Sequence, residues 1–326
     1  MKPKSRRKTL LSSAILIMIG LIFYSLADRY LIRHVEIADV SAYSSAELQA
    51  NSNETSSSDP ERIGSLTPST PTPVTATADD WNYISEDGSI SIREYSMGSG
   101  SDTVTYFVAD VLLADATVLT SAFADNQFGR NIVAYTSEIA EENDAIFAIN
   151  GDYYGFRSDG IVIRNGVIYR DEPARIGLAF YRDGTMKIYN ETSTSAQALL
   201  DAGVWNTLSF GPALVEDGAV VDNLSNVEID TNFGNHSIQG NNPRTGVGII
   251  DANHFVFIVV DGRSAGYSKG MTLTEFANLF EDLGCSAAYN IDGGGSSTMY
   301  FMGRVVNHPL GKDRERGTSD ILYIGA

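Results

Sequence analysis

Three apolar runs in this 326-residue chain end alike, in a polar residue followed by glycine. Ala145–Ile149 runs into Asn150-Gly151-Asp152-Tyr153-Tyr154, Phe255–Val260 into Asp261-Gly262-Arg263, and Ala287–Ile291 into Asp292-Gly293-Gly294-Gly295-Ser296-Ser297. Successive glycines in the last of these can turn backbone N–H groups inward as an anion-binding nest, with the serine hydroxyls adding donors. The same residues also read as a glycine-rich hairpin between Ile291 and Tyr300-Phe301, and they lack the lysine of a P-loop. Arg244, in Asn242-Pro243-Arg244-Thr245-Gly246, offers a planar fork to a phosphate, or sits in a surface turn. Arg263 beside Asp261 reads equally as a structural ion pair.

Other chemistries find little footing. His34, His236, His254 and His308 have no metal-ligand spacing, and there is no Gly-x-Ser-x-Gly elbow and no Asp-x-Asp-x-Asp-Gly loop. No metal-site residue is assigned and no cofactor is expected. A divalent cation such as calcium, held by loop Asp and Asn side chains, is the open alternative. The single cysteine, Cys285, rules out an intramolecular disulfide and reads as a small buried hydrophobe. Residues 1–33 hold seven of the 23 basic residues and one of the 41 acidic ones, so the remainder carries 16 against 40, a net of −24. That charge repels polyanions, and nucleic acid is not an expected partner.

The elements that must position these residues are mostly strands. Hairpins are expected across Asn165-Gly166, Asp183-Gly184 and Asp217-Gly218. Thr272 and Glu275 form a capping box before the apolar face of Leu273, Phe276, Ala277, Phe280 and Leu283, and Gly284 ends that helix. Weaker helices are expected near Asn131–Glu142 and Ser195–Ala202. A strand, a helix and a strand in succession imply a right-handed crossover and a parallel pair, whose carboxyl ends share the edge where ligands bind. Asp261 and Asp292 would then face one pocket. The fold class is α+β, a strand-dominated mixed sheet domain over residues 81–326 with several hairpins and a few helices.

Ahead of it, Lys2, Lys4, Arg6, Arg7 and Lys8 precede an uncharged run from Thr9 to Ala27. About 19 residues at 1.5 Å each reach about 28 Å, enough for a bilayer core. Residues 1–33 therefore read as a basic flank and transmembrane anchor, with the lipid bilayer as a partner and the rest outside the cytoplasm. Ser25-Leu26-Ala27 also fits a signal-peptide cleavage site. Residues 34–80 read as a membrane-proximal segment followed by a Ser/Thr/Pro spacer, extended from Ser41 to about Asp80.

Taken in order, Asn150–Tyr154, Asn242–Gly246, Val260–Arg263 and Asn290–Thr298 resemble the phosphodiester glycosidase family over roughly residues 90–326, and Arg316–Leu322 is similar to its tail. The resemblance implies an extracytoplasmic hydrolase that cleaves the bond between an anomeric carbon and phosphate, in cell-envelope or exopolysaccharide metabolism. Its substrate would be a glycan or sugar phosphate. The phosphate group of the diester departs as a stable anion, so a strong general acid matters less than positive charge for the anion and a carboxylate near the sugar or the attacking water. On that reading Arg244 and Arg263 hold the phosphate, aided by the N–H groups of Gly293, Gly294 and Gly295 and by Ser296 and Ser297. Asp261 and Asp292 supply the carboxylate. Asn150, Gly151 and Asp152 place the sugar, and Tyr153, with Tyr154 and Phe156, stacks on it. A non-catalytic glycan-binding module and a metal-dependent phosphodiesterase are the alternatives.

Overall fold

The computed structural model describes residues 4–55, 76–229 and 237–326. Helix α1 (Lys4–Tyr30), strand β1 (His34–Ile37) and helix α2 (Val40–Thr55) come first, then β2 (Thr77–Ala78), β3 (Asn82–Ser85), β4 (Gly88–Met97) and β5 (Val104–Leu113). The middle of the chain supplies β6 (Leu119–Phe123), β7 (Phe128–Arg130), α3 (Thr136–Glu142), β8 (Ala145–Asn150), β9 (Gly160–Arg164), β10 (Val167–Glu172), β11 (Ile176–Tyr181) and β12 (Met186–Asn190). After α4 (Ala196–Asp201) come β13 (Val204–Leu208), β14 (Ala213–Glu216), β15 (Ala219–Val220), β16 (Arg244–Asp251) and β17 (His254–Val260). Helix α5 (Leu273–Asp282), β18 (Ala287–Ile291), β19 (Met299–Phe301), β20 (Arg304–Val305) and β21 (Asp320–Gly325) complete the domain.

Local chemistry explains most of these elements. Asn165-Gly166 and Asp217-Gly218 both take positive φ at their two positions, the geometry that matches strand twist in a two-residue hairpin. In the longer β11–β12 connection the Asp183 carboxylate accepts from the Thr185 N–H at 3.0 Å. Helix α5 opens on the expected box: Glu275 accepts from the Thr272 N–H at 2.8 Å and Thr272 Oγ1 accepts from the Glu275 N–H at 3.2 Å. Its Leu273, Phe276 and Phe280 are fully buried, each contributing about 1.5–3 kcal/mol of burial.

All strand pairings are antiparallel between the neighbours of a nine-stranded sheet, ordered β15-β14-β18-β16-β17-β5-β4-β3-β2, and of a five-stranded sheet, ordered β20-β19-β8-β21-β6. The two sheets share one core, in which the Phe147 and Phe257 rings lie 5.2 Å apart. Helix α5 covers the outer face of the larger sheet through Val256, Ile258 and Ala288, and burial beside it pushes the Cys285 thiol up to about 12, an unreactive state. The expected direct pairing of β17 with β18 does not form. β16 lies between them because Asn253 takes a left-handed turn that lets β16 and β17 pair as a hairpin. β17 and β18 still run in the same direction and end at one edge.

The N-terminal expectations change. The extended spacer does not begin at Ser41, because α2 continues to Thr55 and docks on the domain. Val40 is buried with Phe123, Phe128 and Tyr154, and the Tyr43 hydroxyl donates to the Ile168 carbonyl at 3.2 Å. β1 pairs with β7. An apolar residue and an amphipathic one three apart share a helix face, so this stretch finds a surface to bury against. The Thr67–Pro73 part of the spacer, Lys2 and His236 lie outside the described residues. The transmembrane anchor and its contact with a bilayer are not supported. Among the described residues no helix is long and apolar enough to cross a membrane. Side chains before Ser13 lie outside those described.

Candidate active site

Residues at the carboxyl ends of β8, β17 and β18, at the start of β16 and ahead of β21 line an open cleft. Its lining combines a charged set, Asp292, Arg244, Arg263 and Arg316, with an aromatic and aliphatic set, Tyr153, Phe210, Ile229 and Ile238. A cleft lined by both a charged cluster and apolar side chains suits a small glycan or sugar phosphate. Among the described lining residues Asp292 is the one carboxylate.

Asp292 follows β18 directly and is largely buried, yet both its oxygens accept from Arg316 Nη2, at 3.0 and 2.8 Å. Arg316 also donates through Nε and Nη2 to Ser296 Oγ, at 3.0 and 2.8 Å, and half of its side chain stays open to the cleft. The Asp292 charge raises the arginine above its ordinary pKa, so Arg316 stays cationic. Arg263 stands across Gly294, with Nη2 donating to Asn242 Oδ1 at 2.9 Å. Burial lowers its pKa and the neighbouring Arg316 charge adds to the effect, with Asp292 opposing. Its φ of 58° is left-handed, a conformation that costs a residue with a Cβ about 1–2 kcal/mol. The crowding beside it explains the preceding glycine: a Cβ on Gly262 would lie 2.9 Å from both the Gly270 Cα and the Pro243 N.

Arg244 lines the cleft but spends its donors on backbone. Nε donates to the Met271 carbonyl at 2.9 Å, and Nη2 to the Ile238 and Gly240 carbonyls at 2.7 and 3.0 Å. Burial, with help from the Arg263 charge, lowers it to about 10, still cationic at neutral pH. Its geometry fastens the 237–243 wall to β16 while adding positive potential. Behind the cleft, fully buried Asn150 donates to the Asp292 carbonyl at 2.7 Å and accepts from Thr245 Oγ1 at 2.8 Å. It fixes the turn that carries Asp292 rather than reaching a sugar.

A buried charge cluster supports the aromatic wall. Arg164 Nε donates to Asp320 Oδ2 at 2.7 Å, and Arg164 Nη2 stands 3.9 Å from Asp152 Oδ2. Asp320 accepts from the Asp152 N–H at 2.8 Å, and Asp152 accepts from the N–H groups of Tyr153 and Ser209. The chain on either side of these carboxylates presents Tyr153 and Phe210, whose rings are edge-to-face at 5.9 Å. Gly151 has to be glycine, since a Cβ would fall 2.1 Å from Asp320 Oδ1.

Burial pushes the Asp320 carboxyl up to about 6, with Arg164 opposing and Asp152 adding to the rise. An unfolded aspartate titrates near pH 3.9, so the folded protein holds this proton more tightly. The group's stabilising contribution is therefore greatest below about pH 4 and declines as pH rises towards about 6. Asp320→Asn should flatten that segment of the stability profile in urea unfolding. An unaltered slope would mean that Asp320 stays ionised throughout.

Of the expected site residues, Asp292, Arg244, Arg263, Tyr153, Gly293 and Gly294 come together at the cleft, and Gly295 and Ser296 seat Arg316. Others do not reach it. Asp261 is buried away from the cleft, accepting from Asn307, Tyr267 and the His308 N–H. It does not pair with Arg263 either, whose side chain turns to Asn242. Gly151 and Asp152 serve the buried cluster. Ser297 is buried, and its carbonyl accepts from Asn307. Tyr154 is buried against Phe128, with its hydroxyl donating to the Ser319 carbonyl, and Phe156 stacks on Tyr153. The anion nest is not formed as expected, because the Gly294 N–H donates to the Pro243 carbonyl and the Ser296 and Ser297 N–H groups close a short 3₁₀ turn. Positive charge at this site comes from arginine side chains. Arg316 and Phe210 were missed as site residues. The available signal was Arg316-Gly317 just ahead of the last apolar strand, a polar residue and glycine at a strand start instead of a strand end. Among the described residues no three His, Cys, Asp or Glu side chains gather as a metal-binding group.

Residues 143–325 match the family model for phosphodiester glycosidase. The chain is 33% identical over 195 residues to the SPbeta prophage-derived uncharacterized protein YomE of Bacillus subtilis (strain 168), a match that spans 57% of this chain and 29% of that protein. It thus spans less than a third of the curated relative. Its fold is shared with the catalytic domain of zebrafish N-acetylglucosamine-1-phosphodiester alpha-N-acetylglucosaminidase, a structure described as auto-inhibited by its pro-peptide, at TM-score 0.58 and 19% identity over 78% of this chain and 89% of that one. A hypothetical protein from Synechocystis shares it at TM-score 0.55 and 14% identity, over 72% and 61% of the respective chains. With the family model covering more than half of its length, the chain belongs to the phosphodiester glycosidase family.

Proposed function

We propose that the cleft hydrolyses a sugar-1-phosphodiester at the bond between the anomeric carbon and the phosphate oxygen. The observation that carries this reading is the pairing of one carboxylate, Asp292, with two open arginines, Arg263 and Arg316. Ordinary glycoside hydrolysis needs a second carboxyl group to protonate a poor leaving group. Cleavage of the diester releases a phosphate monoester as a stable anion that needs no proton to depart, so a site with one carboxylate and cationic donors at the leaving oxygen suffices.

Arg263 and Arg316 receive the phosphate, with Arg244 adding charge from behind. Asp292, held in place by Arg316, faces the anomeric carbon as positive charge develops there, stabilising it directly or orienting the attacking water. Tyr153 and Phe210 present ring faces to the sugar and exclude water from one side. The shared fold with the zebrafish enzyme favours a sugar-phosphodiester substrate. A location outside the cytoplasm and a part in envelope or exopolysaccharide metabolism are also proposed, from the basic and then apolar N-terminal sequence.

The test is turnover of a panel of sugar-1-phosphodiesters by the full chain in ¹⁸O water, with and without a chelator. Label in the released sugar, unaffected by chelation, is expected. Label in the phosphate would favour a phosphodiesterase. Glycan binding without any turnover would favour a non-catalytic module.

A further inference from the structure

The cationic side of the cleft is assembled by a carboxylate outside it. Asp261 is 1% exposed, and three donors converge on it: Asn307 Nδ2 on Oδ1 at 2.8 Å, and the His308 N–H and Tyr267 hydroxyl on Oδ2, each at 2.9 Å. Asn307 is buried too, donating also to the Ser297 carbonyl at 3.0 Å and accepting from the Met299 N–H at 2.8 Å. One carboxylate thus holds the exit of the glycine-rich turn and the first residues of a strap that starts at His308.

The strap passes over that turn and returns as Arg316, whose N–H donates to the Gly295 carbonyl at 2.9 Å. A Cβ on Gly295 would lie 2.9 Å from Arg316 Cβ and 3.6 Å from Leu310 Cδ1, so the strap presses directly on the turn. At its far end Glu315 accepts from the Ser137 N–H at 3.1 Å. The strap is pinned at both ends, and Asp261 supplies the pin that it shares with the seat of Arg316 at Ser296.

We propose that Asp261 is a positioning residue that sets Arg316 against Asp292 and the leaving phosphate through Asn307 and the 308–316 strap. The inference rests on the proposed role of Arg316. A carboxylate suits the task because it accepts three or four hydrogen bonds, whereas an amide in its place would turn an NH₂ group towards the His308 N–H or the Asn307 amide.

The test is a double-mutant cycle in the full chain, joined to a direct observation of Arg316. Asp261→Asn should lower kcat/KM about 10²-fold, the effect of a displacement near 1 Å. In an Arg316→Ala background the same change should have almost no effect. Equal losses in both backgrounds would overturn the proposal. Hydrogen exchange at the Arg316 Nε–H, assigned by its disappearance in Arg316→Lys, gives a second reading that needs no activity. Faster exchange in Asp261→Asn supports the proposal and unchanged exchange overturns it. If the wild type turns over no diester, the function proposed above fails while this reading still decides the positioning role. Asn307→Ser cuts the same link from the strap side and leaves the carboxylate two donors, so it replaces Asp261→Asn should that variant not fold. Its outcomes are read in the same way.

Discussion

Asp292→Asn should lower kcat by about 10³-fold or more without raising KM. The kcat effect follows from removing the one carboxylate among the described cleft residues. Charge stabilisation in a partly dry site is worth about 10²–10³ for a single hydrogen-bond donor, and a full charge at the reacting carbon should match or exceed that. The KM effect follows from the ion pair. With Asp292 neutral, Arg316 no longer has an anion beside it and meets the substrate phosphate with undivided charge. Arg316→Ala should do the reverse, raising KM, and Arg316→Lys should fail to restore it because lysine lacks the fork. The fold should persist, since a pair with one half-open partner is worth about 1 kcal/mol or less. Steady-state kinetics on the best diester of the panel separates these outcomes. Turnover by Asp292→Asn within tenfold of wild type would remove Asp292 from the chemistry.

Arg164→Ala should destabilise the protein by about 3–5 kcal/mol, the range for removing one partner of a fully buried ion pair. Arg164 is 1% exposed and contacts two carboxylates, Asp320 at 2.7 Å and Asp152 at 3.9 Å. Without it the two acids face each other in a dry interior. Adding Asp320→Asn to Arg164→Met should recover part of the loss, because an apolar side chain of similar length then fills the site and only one carboxylate remains. Urea unfolding of the three variants tests both statements. A loss under 1 kcal/mol for Arg164→Ala would mean that water already reaches the cluster.

Short-range signals were the legible ones. The capping box at Thr272 and Glu275, and the Asn-Gly and Asp-Gly turns, depend on residues within four positions of each other, and they fold as read. The order of strands depends on partners far apart in the chain. Nothing near residue 261 indicates that β16, not β18, lies beside β17. The candidate site divides in the same way. Asp292 and Gly293 sit in the cleft because the chain there breaks out of a strand into a turn, a change visible in composition. Asp261 has the same local pattern and points elsewhere, because Asn307, 46 residues away, is what receives it. Arg316 reaches the cleft through a strap whose anchors, Asp261 and Ser137, lie on other elements. Local sequence announces where a strand ends, and packing decides which of its polar residues faces the ligand.

The two sheets also set a limit on how the chain can be divided. The family match begins at residue 143, yet β17 takes its second neighbour from β5, and β21 takes one of its two from β6. A fragment cut at residue 143 would leave both as open edges, and the core that holds Phe255 and Phe257 would lose Phe107, Ala109 and Val111. Edges of that kind recruit strands from other molecules, and such a fragment should self-associate. The stretch in which ancestry is readable is thus shorter than the stretch that must fold together.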